Sequence, residues 1–131
     1  MLSRFTYYKP EGLEEALSYL EQNPGTKILA GGTDLMILLH RNKVICEHIL
    51  DIKGIPEAND LTFRPNEGLF IGAAVTVNEI CEDDEIRKRY PALSQAADNL
   101  ASYQIRNRAT LVGNICNASP GADLAAPLLV Y

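Results

Sequence analysis

The chain has 131 residues, 47% of them hydrophobic and 22% charged, which is enough apolar side chain for a buried core and excludes a disordered segment. Its net charge is −5 and its Lys and Arg residues are scattered, so it lacks the concentrated basic face that nucleic acid requires. No stretch reaches the roughly 20 apolar residues that span a bilayer.

Met1-Leu2-Ser3-Arg4-Phe5 has no apolar signal core. The three cysteines, Cys46, Cys81 and Cys116, are far apart and form no CxxC pair, so they read as buried free thiols rather than metal ligands. A cytoplasmic protein is expected.

Glu11 to Gln22 places Leu13, Ala16, Leu17 and Leu20 at helical spacing, and Pro24-Gly25 ends the stripe. Lys27-Ile28-Leu29-Ala30 reads as a short strand running into Gly31-Gly32. A second helix opens at Thr33-Asp34 and carries Leu35, Met36, Leu38 and Leu39. Val44–Cys46 and His48–Ile52 predict two strands. Leu61–Arg64 and Leu69–Ala74 predict a hairpin that turns at Asn66-Glu67-Gly68.

Thr76-Val77-Asn78-Glu79 has the T-x-x-E form of a capping box, so a helix starts there. Pro91 suits the first turn of another helix, which buries Leu93, Ala96, Ala97 and Leu100. From Gln104 a polar loop passes into a β-like stretch that reaches Ile115. The alternation predicts an α+β fold in two small lobes, about 1–54 and 55–131, with the boundary near Ile52–Glu57. The apolar run Leu124 to Tyr131 predicts that the chain stops inside a folded element of a longer subunit.

Two segments can carry chemistry. In Ile28-Leu29-Ala30-Gly31-Gly32-Thr33-Asp34-Leu35, adjacent glycines permit positive φ and a close approach of ligand to backbone, and the following helix start suits a phosphate. The Thr33 hydroxyl can donate to phosphate, whereas Asp34 either caps the helix or binds a hydroxyl. A bare glycine pair is neither G-x-G-x-x-G nor a P-loop, so a plain connection is the competing reading.

The second segment gathers Arg106, Asn107, Thr110, Gly113, Asn114, Asn117, Ser119 and Asp123 between Ile105 and Asp123. Gly113 can bring backbone to a ligand, Thr110, Asn114 and Asn117 can donate to phosphate or ribose, and Asp123 can accept from a ribose hydroxyl. A turn-rich loop with Asp123 as a helix cap fits the same residues. His40 and His48 lack ligand spacing, and Tyr7, Tyr8 and Tyr103 suit either an aromatic ligand or ordinary burial. No self-contained catalytic constellation is present.

The ordered set resembles the FAD-binding subunit of the molybdenum hydroxylases, a family that includes xanthine dehydrogenases, nicotinate dehydrogenase and the carbon monoxide dehydrogenase medium subunit. The resemblance runs from Tyr8-Lys-Pro through Leu29-Ala-Gly-Gly-Thr-Asp-Leu35, Gly68-Leu-Phe-Ile-Gly-Ala-Ala74 and Tyr90-Pro-Ala-Leu93. It continues to Gln104-Ile-Arg-Asn-Arg-Ala-Thr110, Gly113-Asn-Ile-Cys-Asn-Ala-Ser-Pro120 and Ala122-Asp123.

It implies that FAD lies between the lobes, contacted by Leu29, Ala30, Gly31, Gly32, Thr33, Asp34 and Leu35 and by Thr110, Gly113, Asn114, Asn117 and Asp123. It also implies partners: an iron–sulfur subunit with [2Fe-2S] clusters, a molybdenum-cofactor subunit, and an acceptor such as NAD+. A xanthine or purine dehydrogenase is the expected setting.

Two departures stand out. The family has a glycine pair before the asparagine where this chain has Val112-Gly113, and a β-branched side chain there is expected to narrow the site. The family also continues into a C-terminal domain beyond the last residue here. These departures keep two rivals open: a non-catalytic interaction domain that lost the flavin, and a free-standing FAD oxidoreductase. Gly32→Val is expected to lower FAD affinity more than stability, checked by flavin titration beside a thermal melt.

Overall fold

The computed structural model describes residues 4–131, so the reading of Met1 to Ser3 lies outside the described residues. The chain opens as β1 (Thr6–Tyr8), α1 (Leu13–Gln22), β2 (Lys27–Leu29), α2 (Leu35–His40) and β3 (His48–Asp51). The three strands form a parallel sheet in the order β1-β3-β2, and Leu29 pairs with Asp51 at its carboxyl end. A parallel sheet needs crossover helices, which α1 and α2 supply. Ligands of such sheets gather at the carboxyl ends of the strands, and here that end leads into Gly31-Gly32.

Two short 3₁₀ turns (Ile52–Gly54, Pro56–Asn59) lead to an antiparallel hairpin of β4 (Leu61–Arg64) and β5 (Gly68–Ile71). Six helices follow: α3 (Val77–Glu82), α4 (Asp84–Arg89), α5 (Pro91–Asn99), α6 (Tyr103–Arg106), α7 (Leu111–Asn117) and α8 (Ala125–Leu128). Mixed helix and sheet matches the α+β expectation. The hydrophobic cores are separate clusters. One lies on the Ala16–Leu50 side of the parallel sheet, one on its Leu39–Ile49 side, and the largest gathers α3, α4, α5, Leu111 and Leu124.

The capping box forms as read, with Thr76 and Glu79 each bonding the other's backbone. Pro91 occupies the first turn of α5. Other expectations are corrected. Val44–Cys46 is not a strand, because β3 is already flanked on both sides; Val44 and Cys46 pack irregularly against Leu39 and Ile49. The second hairpin strand stops at Ile71 rather than Ala74. Beyond it the amides of Gly72 and Ala74 bond to the Asp60 and Ala58 carbonyls instead of continuing the ladder.

Helix α1 buries only Ala16 fully, and Leu13 and Leu17 stay exposed because a sheet this narrow covers one edge of the stripe. Tyr19 makes the missing contact, stacking on Tyr8 at 4.5 Å and hydrogen bonding His48 Nδ1 at 2.9 Å. Cys46 and Cys81 are buried but Cys116 is exposed, against the expectation for all three. Helix α4 was legible in principle. Asp83 caps it, acids fill its first turn and Arg87, Lys88 and Arg89 its last, the charge order a helix dipole favours.

One polar group organises the carboxyl end of the parallel sheet. The Asp51 carboxylate is buried, accepting from the Tyr7 hydroxyl (2.5 Å), the Lys53 amide (3.0 Å) and the Lys53 ammonium (2.8 Å). Burial alone would raise its pKa, but the hydrogen bonds from Lys53 and Tyr7 hold it below the usual carboxylate range. The Tyr7 phenol is raised in turn by its bond to Asp51.

The sign of each shift sets a window. A depressed carboxylate contributes above its unfolded pKa of about 3.9 and loses the contribution as pH falls below it; a raised phenol contributes below about 10 and loses it above. Asp51→Asn is therefore expected to destabilise by about 2 kcal/mol at neutral pH. The gap to the unaltered protein should close below about pH 4. Denaturant unfolding across pH checks both.

Candidate functional site

The first loop leaves β2 at Ala30. Its carbonyl lies just past the end of the β2–β3 ladder, and the Lys53 ammonium donates to it at 2.8 Å. Gly31 follows with no room for a side chain. A Cβ there would stand 2.7 Å from the Arg108 carbonyl carbon, closer still to its oxygen, and 3.0 Å from the Ala109 Cα. The backbone of the first loop thus lies directly on that of the second.

Gly32 has φ +78°, a left-handed conformation, and a Cβ would meet Leu29 Cδ1 at 2.9 Å. Each glycine has its own reason: Gly31 admits the opposite loop and Gly32 turns the chain. The Gly32→Val expectation shifts accordingly, because strain at positive φ costs about 1–3 kcal/mol before any ligand is considered.

Asp34 takes the N-cap position of α2 but its side chain makes no capping hydrogen bond, and it is exposed. The capping reading is therefore corrected. Thr33 is half-buried, and Leu29 and Leu35 pack on the Leu39–Ile49 cluster as core.

The second segment corrects the expected loop and strand. Ser102 caps α6, a turn at Asn107-Arg108 follows, and Thr110 caps α7, its hydroxyl oxygen accepting from the Gly113 amide at 3.0 Å. The run Leu111-Val112-Gly113-Asn114-Ile115 looked like a strand by composition. Helix wins because Thr110 supplies the cap while Leu111 is buried and Val112 and Ile115 are half-buried against the largest core. Thr110 is also bridged to Thr76, the cap of α3, and the Val77 amide bonds the Ala109 carbonyl at 2.8 Å. Two helix starts are thereby fastened side by side.

Arg106 and Asn107, which looked available for a ligand, are structural. Arg106 donates to Asn78 Oδ1 (3.1 Å) and to the carbonyls of Asp98 (3.0 Å) and Leu100 (3.1 Å). Asn107 Oδ1 accepts from Asn78 at 2.9 Å. Together they tie α3, α5 and α6 and set the path into Arg108. Val112 is half-buried and packs in part against the largest core.

What is left open is small and specific. Asn114 Oδ1 is buried and has no hydrogen-bond partner. A lone buried acceptor costs about 1–3 kcal/mol, so it calls for a donor from outside the chain. Gly113 has nothing within 4 Å of a Cβ except Thr110, its own cap. Asn117 and Asp123 are exposed, and Asp123 is not the cap of α8, a position held by Leu124. Asp123 makes no side-chain hydrogen bond among the described residues, while Leu124 beside it is buried in the cluster that also holds Ala109 and Leu111.

The structure thus joins the Ala30–Gly32 and Arg108–Thr110 segments, with Asn114 one turn into α7. Tyr7 and Tyr103 are about half exposed, and Tyr8 is spent on Tyr19. Asp51 and Lys53 were missed from the sequence. The signal was a carboxylate inside the apolar run Ile49-Leu50-Asp51-Ile52, since a buried charge demands a partner nearby.

Residues 3–131 match the family described as FAD binding domain in molybdopterin dehydrogenase. The chain is 41% identical over 126 residues to the xanthine dehydrogenase FAD-binding subunit of Escherichia coli O157:H7, covering 96% of this chain and 43% of that protein. It is 34% identical over 121 residues to the carbon monoxide dehydrogenase medium chain of Hydrogenophaga pseudoflava, covering 92% and 42%.

Among solved structures, carbon monoxide dehydrogenase from Hydrogenophaga pseudoflava superposes with a TM-score of 0.87 at 33% identity, over 92% of this chain and 42% of that one. Quinoline 2-oxidoreductase from Pseudomonas putida 86 superposes at 0.90 and 29% identity, over 95% and 43%. The chain spans less than half the length of these relatives. It belongs to the family of FAD-binding domains of the molybdopterin dehydrogenases.

Proposed function

We propose that this chain holds FAD between its two loops, as part of the electron-transfer subunit of a molybdenum hydroxylase of the xanthine or purine type. In this reading an iron–sulfur subunit delivers electrons, a molybdenum-cofactor subunit hydroxylates the substrate, and NAD+ or a similar acceptor is reduced, in the cytoplasm. Residues 1–54 and 55–131 act as two lobes that flank the dinucleotide. Among the described residues, no helix is long and apolar enough to cross a membrane.

The observation that carries the proposal is Asn114, whose buried amide oxygen has no partner and which lies one helical turn beyond Thr110, where the second segment enters α7. Hydroxyls of a ribityl or ribose group are such donors. Gly31 and Gly32 let the first loop lie on the second, and half-buried Thr33 and exposed Asn117 offer polar side chains. Asp34 and Asp123 are uncommitted carboxylates that suit sugar hydroxyls rather than phosphate. When bound, FAD supplies the one- and two-electron redox chemistry, while the chain's own residues bind and orient it.

Three measurements test the proposal on the full-length protein. Flavin released by heat should run as FAD on chromatography; FMN in its place sinks the dinucleotide reading. Asn114→Ala removes a buried acceptor without a partner, so the apoprotein should melt no lower than the unaltered one, while FAD affinity falls about tenfold, or 1.4 kcal/mol. A variant that loses stability and keeps its affinity would make Asn114 a structural residue only. In a third test, Gly31→Ala should lower both stability and FAD affinity. Its methyl group forces apart two backbone segments that cannot yield like a flexible side chain, at a cost of about 1–3 kcal/mol.

A further inference from the structure

We propose that Lys53 is the positioning residue of the flavin site, holding the Ala30-Gly31-Gly32 turn in its binding conformation while touching no ligand itself. This rests on the flavin reading above. Parallel pairing of β2 and β3 ends at Leu29 and Asp51, so the Ala30 carbonyl has no strand to bond. Lys53 comes back over the end of β3 and donates its ammonium to that carbonyl at 2.8 Å.

The ammonium is held from behind by Asp51 at 2.8 Å, and Asp51 is held by Tyr7 from the far strand, β1. All three strands of the sheet thus converge on one carbonyl, the last rigid atom before the glycine pair. Beyond it, Gly31 must lie flat against the Arg108 carbonyl and Gly32 must take positive φ. A glycine pair has no side chains to hold it and many conformations to fall into. A charged hydrogen bond immediately before the pair selects among them.

Geometry also explains why the residue is a lysine. One group must reach an aspartate and a backbone carbonyl at once, and an ammonium on a long stem provides several donors from a single atom. Lys53 is half-buried, with 27% of its side chain exposed, and lies against the buried Asp51 carboxylate. Methionine at this position retains the stem and removes the donors. Arginine retains the charge and restores donors with a different shape.

The test uses the full-length protein as Lys53→Met and Lys53→Arg, with FAD dissociation constants from flavin fluorescence. Hydrogen exchange is measured on the apo form at the Gly31, Gly32 and Thr33 amides and across α3 and α5. Lys53→Met is expected to weaken FAD binding about tenfold and speed exchange at the three loop amides. Exchange in α3 and α5 should stay as in the unaltered protein. Lys53→Arg is expected to recover most of both.

Unchanged affinity and loop exchange in Lys53→Met overturn the positioning role while leaving the flavin reading intact. Faster exchange everywhere, including α3 and α5, reduces Lys53 to a general stabiliser and also overturns it. An unaltered protein that takes up no FAD sinks the flavin reading itself, and this role with it.

Discussion

The contact on which the rest depends is backbone against backbone, Gly31 on the carbonyl of Arg108. It brings a turn at the end of the parallel sheet onto the entrance to α7, and no other residue type fits the space. Several features elsewhere make sense as ways of presenting these two segments to each other. On one side, Asp51 and Lys53 fix the Ala30 carbonyl. On the other, Arg106 ties α6 to the Asp98 and Leu100 carbonyls and to Asn78, and the Ala109 carbonyl bonds the start of α3. Rigid supports on both sides allow a glycine-rich junction to keep one shape.

The polar residues divide by burial. Thr110 is buried and Arg106 half-buried, and each is used up within the chain by a backbone or side-chain partner; Asn107 is exposed but still accepts from the buried Asn78. This is what burial requires, because an unpaired polar group removed from water costs more than its hydrogen bond returns. Asn114 breaks that rule at one atom, in the first turns of α7. An unsatisfied acceptor is poor structure and good recognition.

Local signals in the sequence were enough for much of this. Thr76 and Glu79 announce the start of α3, Pro91 that of α5, and the alternation of short strands with helices announces α+β architecture, because caps and periodicity act within a turn or two of chain. The glycine pair announces a backbone under constraint. Motifs in order along the chain were enough for the family, and residues 3–131 match it.

Tertiary structure decided the rest. Which glycine serves which purpose depends on Arg108, and whether Arg106 faces a ligand or the interior depends on Asn78, Asp98 and Leu100. The run Leu111 to Ile115 has the composition of a strand and becomes a helix, because Thr110 caps it and the core accepts Val112 and Ile115 on one side. Asp51 finds Tyr7 across 44 residues of sequence, and Lys53 finds Ala30 across 23. Composition and spacing report what a residue can do within its own turn of chain; which partner reaches it is set by packing between elements that are distant in sequence.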